Sequence, residues 1–315
     1  MRGYALQRLA LGGVQLALLT VLVFLLTSLL PGDAADVRND EDATPEQVAA
    51  LREQLGLDRP ALERFTDWAG GVLTGDLGTS LVSGGPVLDV LAGSAGITLL
   101  LAAVTLAVVV PLAVLLGIAS GLREGGRLDR AVTSVTLALN AVPDFVLALL
   151  LVAGLSLRLG WLPATWVGVG TADLIARPAL LVLPVGVVAA RMICLLSRQV
   201  RAGMVTVLKA GYVTQARRLG VPRRTLLLRH VLPNAAVPGI QELARVGDNL
   251  VGGVLIVEAV FAIPGVATAL VDAVEARDVP TVQGLALVVA AAALLFSLAA
   301  DLVSHRLVPR AEVLR

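Results

Sequence analysis

The chain alternates long uncharged stretches with short charged ones. Residues 9–30 hold 22 positions without a charge, enough to cross a hydrocarbon core of about 30 Å as an α-helix. Residues 94–122 and 279–300 are also charge-free, and 131–157 is apolar apart from Asn140 and Asp144, which flank Pro143. Residues 178–197 are interrupted by Arg191 alone, whose long stem predicts snorkelling towards the inner surface. The weakest stretch is 238–262, which carries Glu242, Arg245, Asp248 and Glu258. Glu242, Arg245 and Asp248 share a helix face, and internal pairing would explain them. The pattern predicts an all-α membrane protein.

Charge sorts the connecting segments between the two sides. Residues 31–92 contain twelve acids and four arginines, whereas 177–241 contains ten basic residues and no acid. The positive-inside tendency therefore places the part after Arg191 in the cytoplasm and the acidic 31–92 segment outside. Loop 263–282, with Asp272, Glu275 and Asp278 against Arg277, prefers the outside, while Arg306, Arg310 and Arg315 follow the last apolar stretch. Both termini are then cytoplasmic, which requires an even number of crossings. Counting 238–262 gives six transmembrane helices.

The predicted organisation is an N-terminus with its first helix (1–30), a small extracytoplasmic insert (31–93) and a six-helix core completed by 94–315. The first segment is too long for a signal peptide and ends in Leu30-Pro31-Gly32, so it is read as a retained helix. Inside the insert, Thr44 as N-cap, Pro45 at N1 and Gln47 predict a helix start, with Gly56 as its stop. A second short helix follows Asp58, and Gly75, Gly78, Gly84 and Gly85 make the remainder irregular. Residues 158–178 read as an external loop with Trp161 and Trp166 at the interface.

Between two apolar stretches, residues 209–238 carry basic residues and no acid. Tyr212 to Leu219 suits a helix, Gly220 supplies a left-handed stop, and Pro222 suits the first position of a second helix. That second helix runs through Leu226, Leu227 and Leu228, with Pro233 marking its end. The predicted element is a cytoplasmic helix–Gly–helix elbow within 201–237, a surface made for docking. Ala216 allows close approach, Arg217 supplies charge, Gly220 makes the turn, and the leucines suit a hydrophobic groove.

Composition narrows the chemistry. The chain is 57% hydrophobic with mean hydropathy +0.86, outside the range of soluble domains. Cys194 is the only cysteine, which excludes a disulfide framework and a cysteine-based zinc site, and the two histidines lie far apart. No cofactor or metal is expected. The only lysine, Lys209, sits between Leu208 and Ala210, so no phosphate-cradling Gly-Lys-Ser/Thr loop exists in this chain. Nucleic-acid binding is disfavoured, because Tyr212 is the only stacking residue of a basic loop held between membrane spans.

The 209–238 stretch resembles the EAA loop of ABC-importer permeases, whose pattern is Glu-Ala-Ala, three residues, Gly, nine residues and Ile-x-Leu-Pro. Thr214-Gln215-Ala216, Gly220 and His230-Val231-Leu232-Pro233 keep that spacing while replacing several of its residues. A closer similarity is to B-type permeases of the dipeptide/oligopeptide/nickel family, through Tyr212-Val213, Ala216-Arg217, Gly220, Leu227-Leu228-Arg229-His230, Asn234-Ala235 and Pro238. It continues through Leu29-Leu30-Pro31-Gly32-Asp33, Gly75-Asp76-Leu77-Gly78-Thr79-Ser80, Leu159-Gly160-Trp161-Leu162-Pro163-Ala164, Glu258-Ala259-Val260-Phe261 and Val282-Gln283-Gly284. The chain departs from the family at Ala210-Gly211, where an acid usually precedes Tyr, and at Asp144, where a small hydroxyl is usual.

The resemblance implies a transport subunit without a catalytic site, in the bacterial inner membrane. It implies a heterodimer with a related C-type permease, two cytoplasmic ATPase subunits, an extracytoplasmic substrate-binding protein and a di- or oligopeptide substrate. Tyr212, Ala216, Arg217, Gly220, Leu226, Leu227, Leu228 and Pro233 are the expected ATPase-coupling residues. Ionisable groups within membrane spans usually face a cavity or a partner, so Asp144, with Asn140, is a candidate to line the pathway and favour a cationic amino terminus. The resemblance adds Glu258, at the outer end of the pore or the receptor contact. An equal reading has Asp144 bonding the backbone freed by Pro143 or capping a helix. A nickel or metal-chelate permease and a proton-coupled secondary transporter are the alternatives.

Overall fold

The computed structural model describes residues 2–28, 45–54, 58–166 and 177–307. Among the described residues the architecture is helical, with one isolated bridge between Thr79 and Pro86. The Thr44 cap, the Gly56 stop, Leu29 to Asp33 and most of the acidic run before Pro45 lie outside the described residues. The chain divides into two compact units, one of residues 1–98 with 263–294 and one of 99–262 with 295–315.

The first unit begins with α1 (Arg2–Ser28), apolar on every side, with Leu6 and Leu18 largely exposed. A helix without a polar face is made for lipid rather than water. Helices α2 (Pro45–Gln54) and α3 (Ala61–Thr74) follow. Gly75, at φ 88°, closes α3 with a paired turn in which Gly75 N–H bonds Val72 O and Asp76 N–H bonds Gly71 O. Phe65 of α3 packs edge-on against Phe24 of α1 with ring centres 5.0 Å apart.

The irregular 75–86 segment is tied to one buried acid. Asp278 accepts hydrogen bonds from Ser80 Oγ, Leu81 N–H (3.0 Å) and Thr281 Oγ1 (2.7 Å). Nearby, Gln283 Nε2 donates to Thr27 Oγ1 at 2.9 Å, both side chains buried. Gly284 has no room for a side chain, since a Cβ would lie 2.8 Å from Val87 Cγ1. The Gly-Asp-Leu-Gly-Thr-Ser and Val-Gln-Gly runs are therefore stitching for this unit.

The second unit is built on α4 (Val87–Gly121, from residue 99 onward), α7 (Ala179–Leu208) and α10 (Leu232–Phe261). Glycines set their spacing. A Cβ on Gly117 would lie 2.6 Å from Val200 Cβ and 2.8 Å from Ser197 O, and one on Gly239 would lie 2.7 Å from Val200 Cγ2. On Gly203 it would clash with the backbone carbonyl of Ala235. Small residues let backbones approach where lipid offers no hydrophobic drive to pack.

Two apolar stretches are broken rather than straight. The expected third span divides into α5 (Arg127–Ala141) and α6 (Asp144–Leu151), the latter continuing as a π-helix (Val152–Arg158), with a 102° bend between them. Pro143 lacks an N–H and pushes Val142 into an extended conformation (φ −87°, ψ 128°), which ends α5. The expected 263–282 loop instead contains α11 (Val266–Glu275), and Leu250–Phe261 with Val266–Glu275 forms a second bent pair. Ala262, left-handed at φ 51°, makes that break. Helix α12 (Val279–Leu307) follows. Among the described residues four helices are long and apolar enough to cross a membrane, or up to six if each bent pair is one span.

Two local expectations change. Trp166 is 2% exposed, its N–H bonding Phe261 O and its Nε1 bonding Leu180 O at 3.1 Å, so it is an interior tie. Trp161, at 71% exposure, keeps the exposed position expected of an interfacial residue. Pro233 does not end the second elbow helix, because it occupies the first turn of α10, where a missing N–H costs nothing. Gly203→Ala should lower the midpoint of thermal unfolding in detergent, at a cost of about 1–3 kcal/mol, whereas Gly186→Ala, with open space around it, should leave the midpoint nearly unchanged.

Candidate functional site

The elbow forms as its residues dictate. Helix α8 (Gly211–Arg218) ends in a paired turn, with Gly220 N–H bonding Arg217 O and Val221 N–H bonding Ala216 O. Gly220 sits at φ 77°, the left-handed conformation that costs other residues about 1 kcal/mol. Pro222 then precedes α9 (Arg223–Thr225), one turn that continues as a π-helix (Leu226–Val231) directly into α10. Asn234 Nδ2 donates to His230 O at 2.7 Å across this join.

Beneath the elbow lies a small core of Met204, Val213, Leu226, Val231 and Ala235, with Ala216, Leu227 and Ile118 packed against it. This redistributes the expected docking set. Leu226 is buried at 3% and Ala216 and Leu227 are half-buried, so they hold the elbow in shape. Tyr212, Arg217, Gly220, Leu228 and Pro233 are exposed. Leu219, passed over in the sequence, is the most exposed apolar residue of the elbow at 74%. Its signal was an apolar residue placed directly before the stop glycine. A cleft of about 390 Å³ opens between Arg217, Arg223 and Leu227 on one side and Leu122 and Leu208 on the other.

Two ion pairs fasten the elbow's approach. Asp129, near the start of α5, is almost fully buried and meets Arg201 of α7, whose Nη2 donates at 2.8 Å. Asp129 also accepts the Gly125 N–H at 2.8 Å, closing the 122–126 turn. Lys209, at the end of α7, pairs with Glu124 at 2.8 Å. The partners are 72 and 85 residues apart. Glu124 and Asp129, set among Arg123, Arg127 and Arg130, were the sequence hint of these pairs.

The pathway candidates separate. Asp144 is the first residue of α6, where the positive end of the helix favours its charge. Its Oδ2 lies 3.8 Å from Nη1 of Arg191 in α7, so Arg191 has an acid as partner. No side-chain cap closes the α6 start, which leaves the capping reading without support. Asn140 is half-buried one turn before the bend, on α5. Glu258 is fully buried in α10, and its backbone carbonyl accepts the N–H of Ala262 at the helix end. Glu242 is buried while Arg245 is exposed, and no ion pair joins these two; the side chain of Asp248, the third member of the expected set, lies outside the described residues.

Long apolar helices around glycine contacts, together with an exposed basic elbow, define a polytopic membrane protein. The chain belongs to the binding-protein-dependent transport system inner membrane components. Residues 113–313 match that family's main model, and residues 1–102 match the model of its N-terminal part. It is similar to a probable peptide ABC transporter permease protein of Sinorhizobium fredii, at 32% identity over 98% of each chain. It is also similar to a putative peptide permease protein of Brucella suis, at 34% identity over 98% of this chain and 99% of that one. A glutathione transport system permease protein of Pectobacterium atrosepticum matches at 33% identity over 91% of each chain. The protein is thus a multi-pass inner membrane transport subunit.

Removing one partner of the buried pair should cost stability. Asp129→Asn leaves Arg201 without its counter-charge. Because Arg201 remains about a third exposed, the loss should be about 2 kcal/mol rather than the ~3–5 kcal/mol of fully enclosed pairs. Thermal unfolding of the purified protein measures it, and Asp129→Asn with Arg201→Gln should recover part of the loss.

Proposed function

We propose that this chain forms half of the translocation pathway of a bacterial ABC importer for di- or oligopeptides. The peptide reading draws on the names carried by its relatives. The observation that carries the coupling role is the elbow itself, an exposed basic surface with Leu219 and Leu228 outermost, Gly220 at its turn and a private core beneath. Such a surface suits a cytoplasmic ATPase groove, with Tyr212, Arg217, Leu219, Gly220 and Leu228 in contact. Ala216, Leu226, Leu227 and Pro233 act by shaping it.

In this reading both termini and the 201–237 loop are cytoplasmic, and the 31–93 insert lies outside. The 94–315 core holds the path, towards which Asn140, Asp144 and Glu258 contribute. The assembly is completed by a related C-type permease, two ATPase subunits that hydrolyse ATP, and a substrate-binding protein that delivers peptide. Closure of the ATPases draws the docked elbows together. Each elbow is continuous with α10 and joined to α7 through Lys209 and Ala210, so its displacement is passed to both helices. A nickel or metal-chelate substrate is not favoured by the relatives' names, and a secondary transporter gives the elbow no purpose.

Gly220 has open space around it, so Gly220→Asp should insert and accumulate normally. In the reconstituted importer it should abolish ATPase stimulation by the loaded binding protein and lower transport at least about tenfold, through a charge placed in the contact. Gly220→Asn, which tolerates the left-handed conformation, should retain most activity. Stimulation of the Asp variant equal to wild type, or transport independent of ATP, would overturn the proposed coupling.

A further inference from the structure

Arg191 is a cation in the interior of a membrane helix. It lies twelve residues into α7 (Ala179–Leu208), about 18 Å from the helix start at 1.5 Å per residue. Charges at such depth are costly and are kept where they meet a partner or a water-filled cavity. Arg191 has one such partner among the described residues, Asp144, and the contact is loose at 3.8 Å with no hydrogen bond. The two groups are unequally enclosed. The Asp144 side chain is 12% exposed, whereas that of Arg191 is 53% exposed.

The surroundings of Asp144 hold it in place. It opens α6 directly after the 102° break at Pro143, and Leu147 and Ala148, one turn on, are buried. The acid is thus fixed at a helix N-terminus while the guanidinium beside it keeps its hydrogen-bonding fork free. A guanidinium carries five N–H donors in a plane that matches a carboxylate with two parallel bonds. Asp144 neutralises the charge from one side without occupying that fork.

Resting on the peptide-importer reading above, we propose that Arg191 is a carboxylate-binding residue of the translocation path and that Asp144 is its resident counter-ion. A substrate with a free carboxylate, such as the C-terminus of a peptide, takes the open face of the guanidinium in a bidentate pair. Asp144 then remains close enough to reclaim the charge when the substrate leaves. Arg191 is never left uncompensated, and the carboxylate is never held by a full unopposed cation. The path therefore favours free-acid peptides over C-terminally blocked ones, and Asp144 sets how briefly they are held.

The test uses the complete importer in liposomes, supplied with a pool of di- to pentapeptides, or the same pool amidated at the C-terminus, at concentrations from well below KM to saturation. Uptake is read by mass spectrometry and scored as the free-acid to amide ratio. Arg191→Gln should lower free-acid uptake by about tenfold, the worth of one lost charge-assisted pair, and leave amide uptake within about twofold. Arg191→Lys keeps the charge without the fork and should fall between. Asp144→Asn should lower KM for the free-acid pool and slow its turnover, without the same change for amides.

Equal losses for both pools, or an unchanged ratio in the Arg191 variants, overturn the proposal while leaving the peptide reading intact. A wild-type importer that takes up neither pool overturns the peptide reading and this proposal with it. Should Arg191→Gln fail to assemble, Arg191→Lys and Asp144→Asn carry the comparison alone.

Discussion

The second unit depends on how closely three helix backbones can approach. Apolar side chains gain nothing by leaving lipid for one another, so contact must come from dispersion and from main chains brought near. Gly117 admits Ser197 and Val200, Gly121 admits Met204, Gly203 admits Ala235, and Gly239 admits Val200 again. These contacts climb one face of α7 in successive turns. At its end the chain leaves α7, makes the elbow, and returns as α10, the third member of the same seam. The elbow is therefore clasped at both roots by the tightest packing in its unit.

That arrangement explains why the elbow needs so small a core of its own. Val213, Leu226 and Val231 settle on Met204 and Ala235, residues already placed by the glycine seam. Polar fastening follows the same economy. Asp129 sits where the α4–α5 turn meets α7, and one carboxylate binds Arg201 and closes the turn through Gly125. In the other unit Asp278 does comparable work for the irregular 75–86 segment. Asp129 and Asp278 thus each organise backbone that has no regular structure of its own.

Local chemistry was legible in the sequence and long-range chemistry was not. Gly220 and Pro222 predict their backbone states because a left-handed residue and a missing N–H are properties of single residues. The apolar stretches announce helices for the same reason. Pro143 was visible, yet the 102° bend was not, because a proline in an apolar run can either kink a helix or part it, and Val142 decides by going extended. Pro233 misled in the opposite direction, since a proline stops a helix in its interior but begins one in its first turn. The Asp129–Arg201 and Asp144–Arg191 pairs join residues remote in the chain, and no spacing rule encodes them. Leu226 to Leu228 looked like one docking strip, while their helix turns Leu226 inward and Leu228 outward.

The Lys209–Glu124 contact has a consequence for how this protein can be watched. Lys209 is the chain's only lysine and its side chain is 66% exposed, at the doorway between α7 and the elbow. Its neighbour Glu124 holds the ammonium while the turn stays closed. An amine-directed reagent would consequently meet one side-chain target in the whole subunit. The Lys209 ammonium is thus a single side-chain amine standing directly beside the elbow.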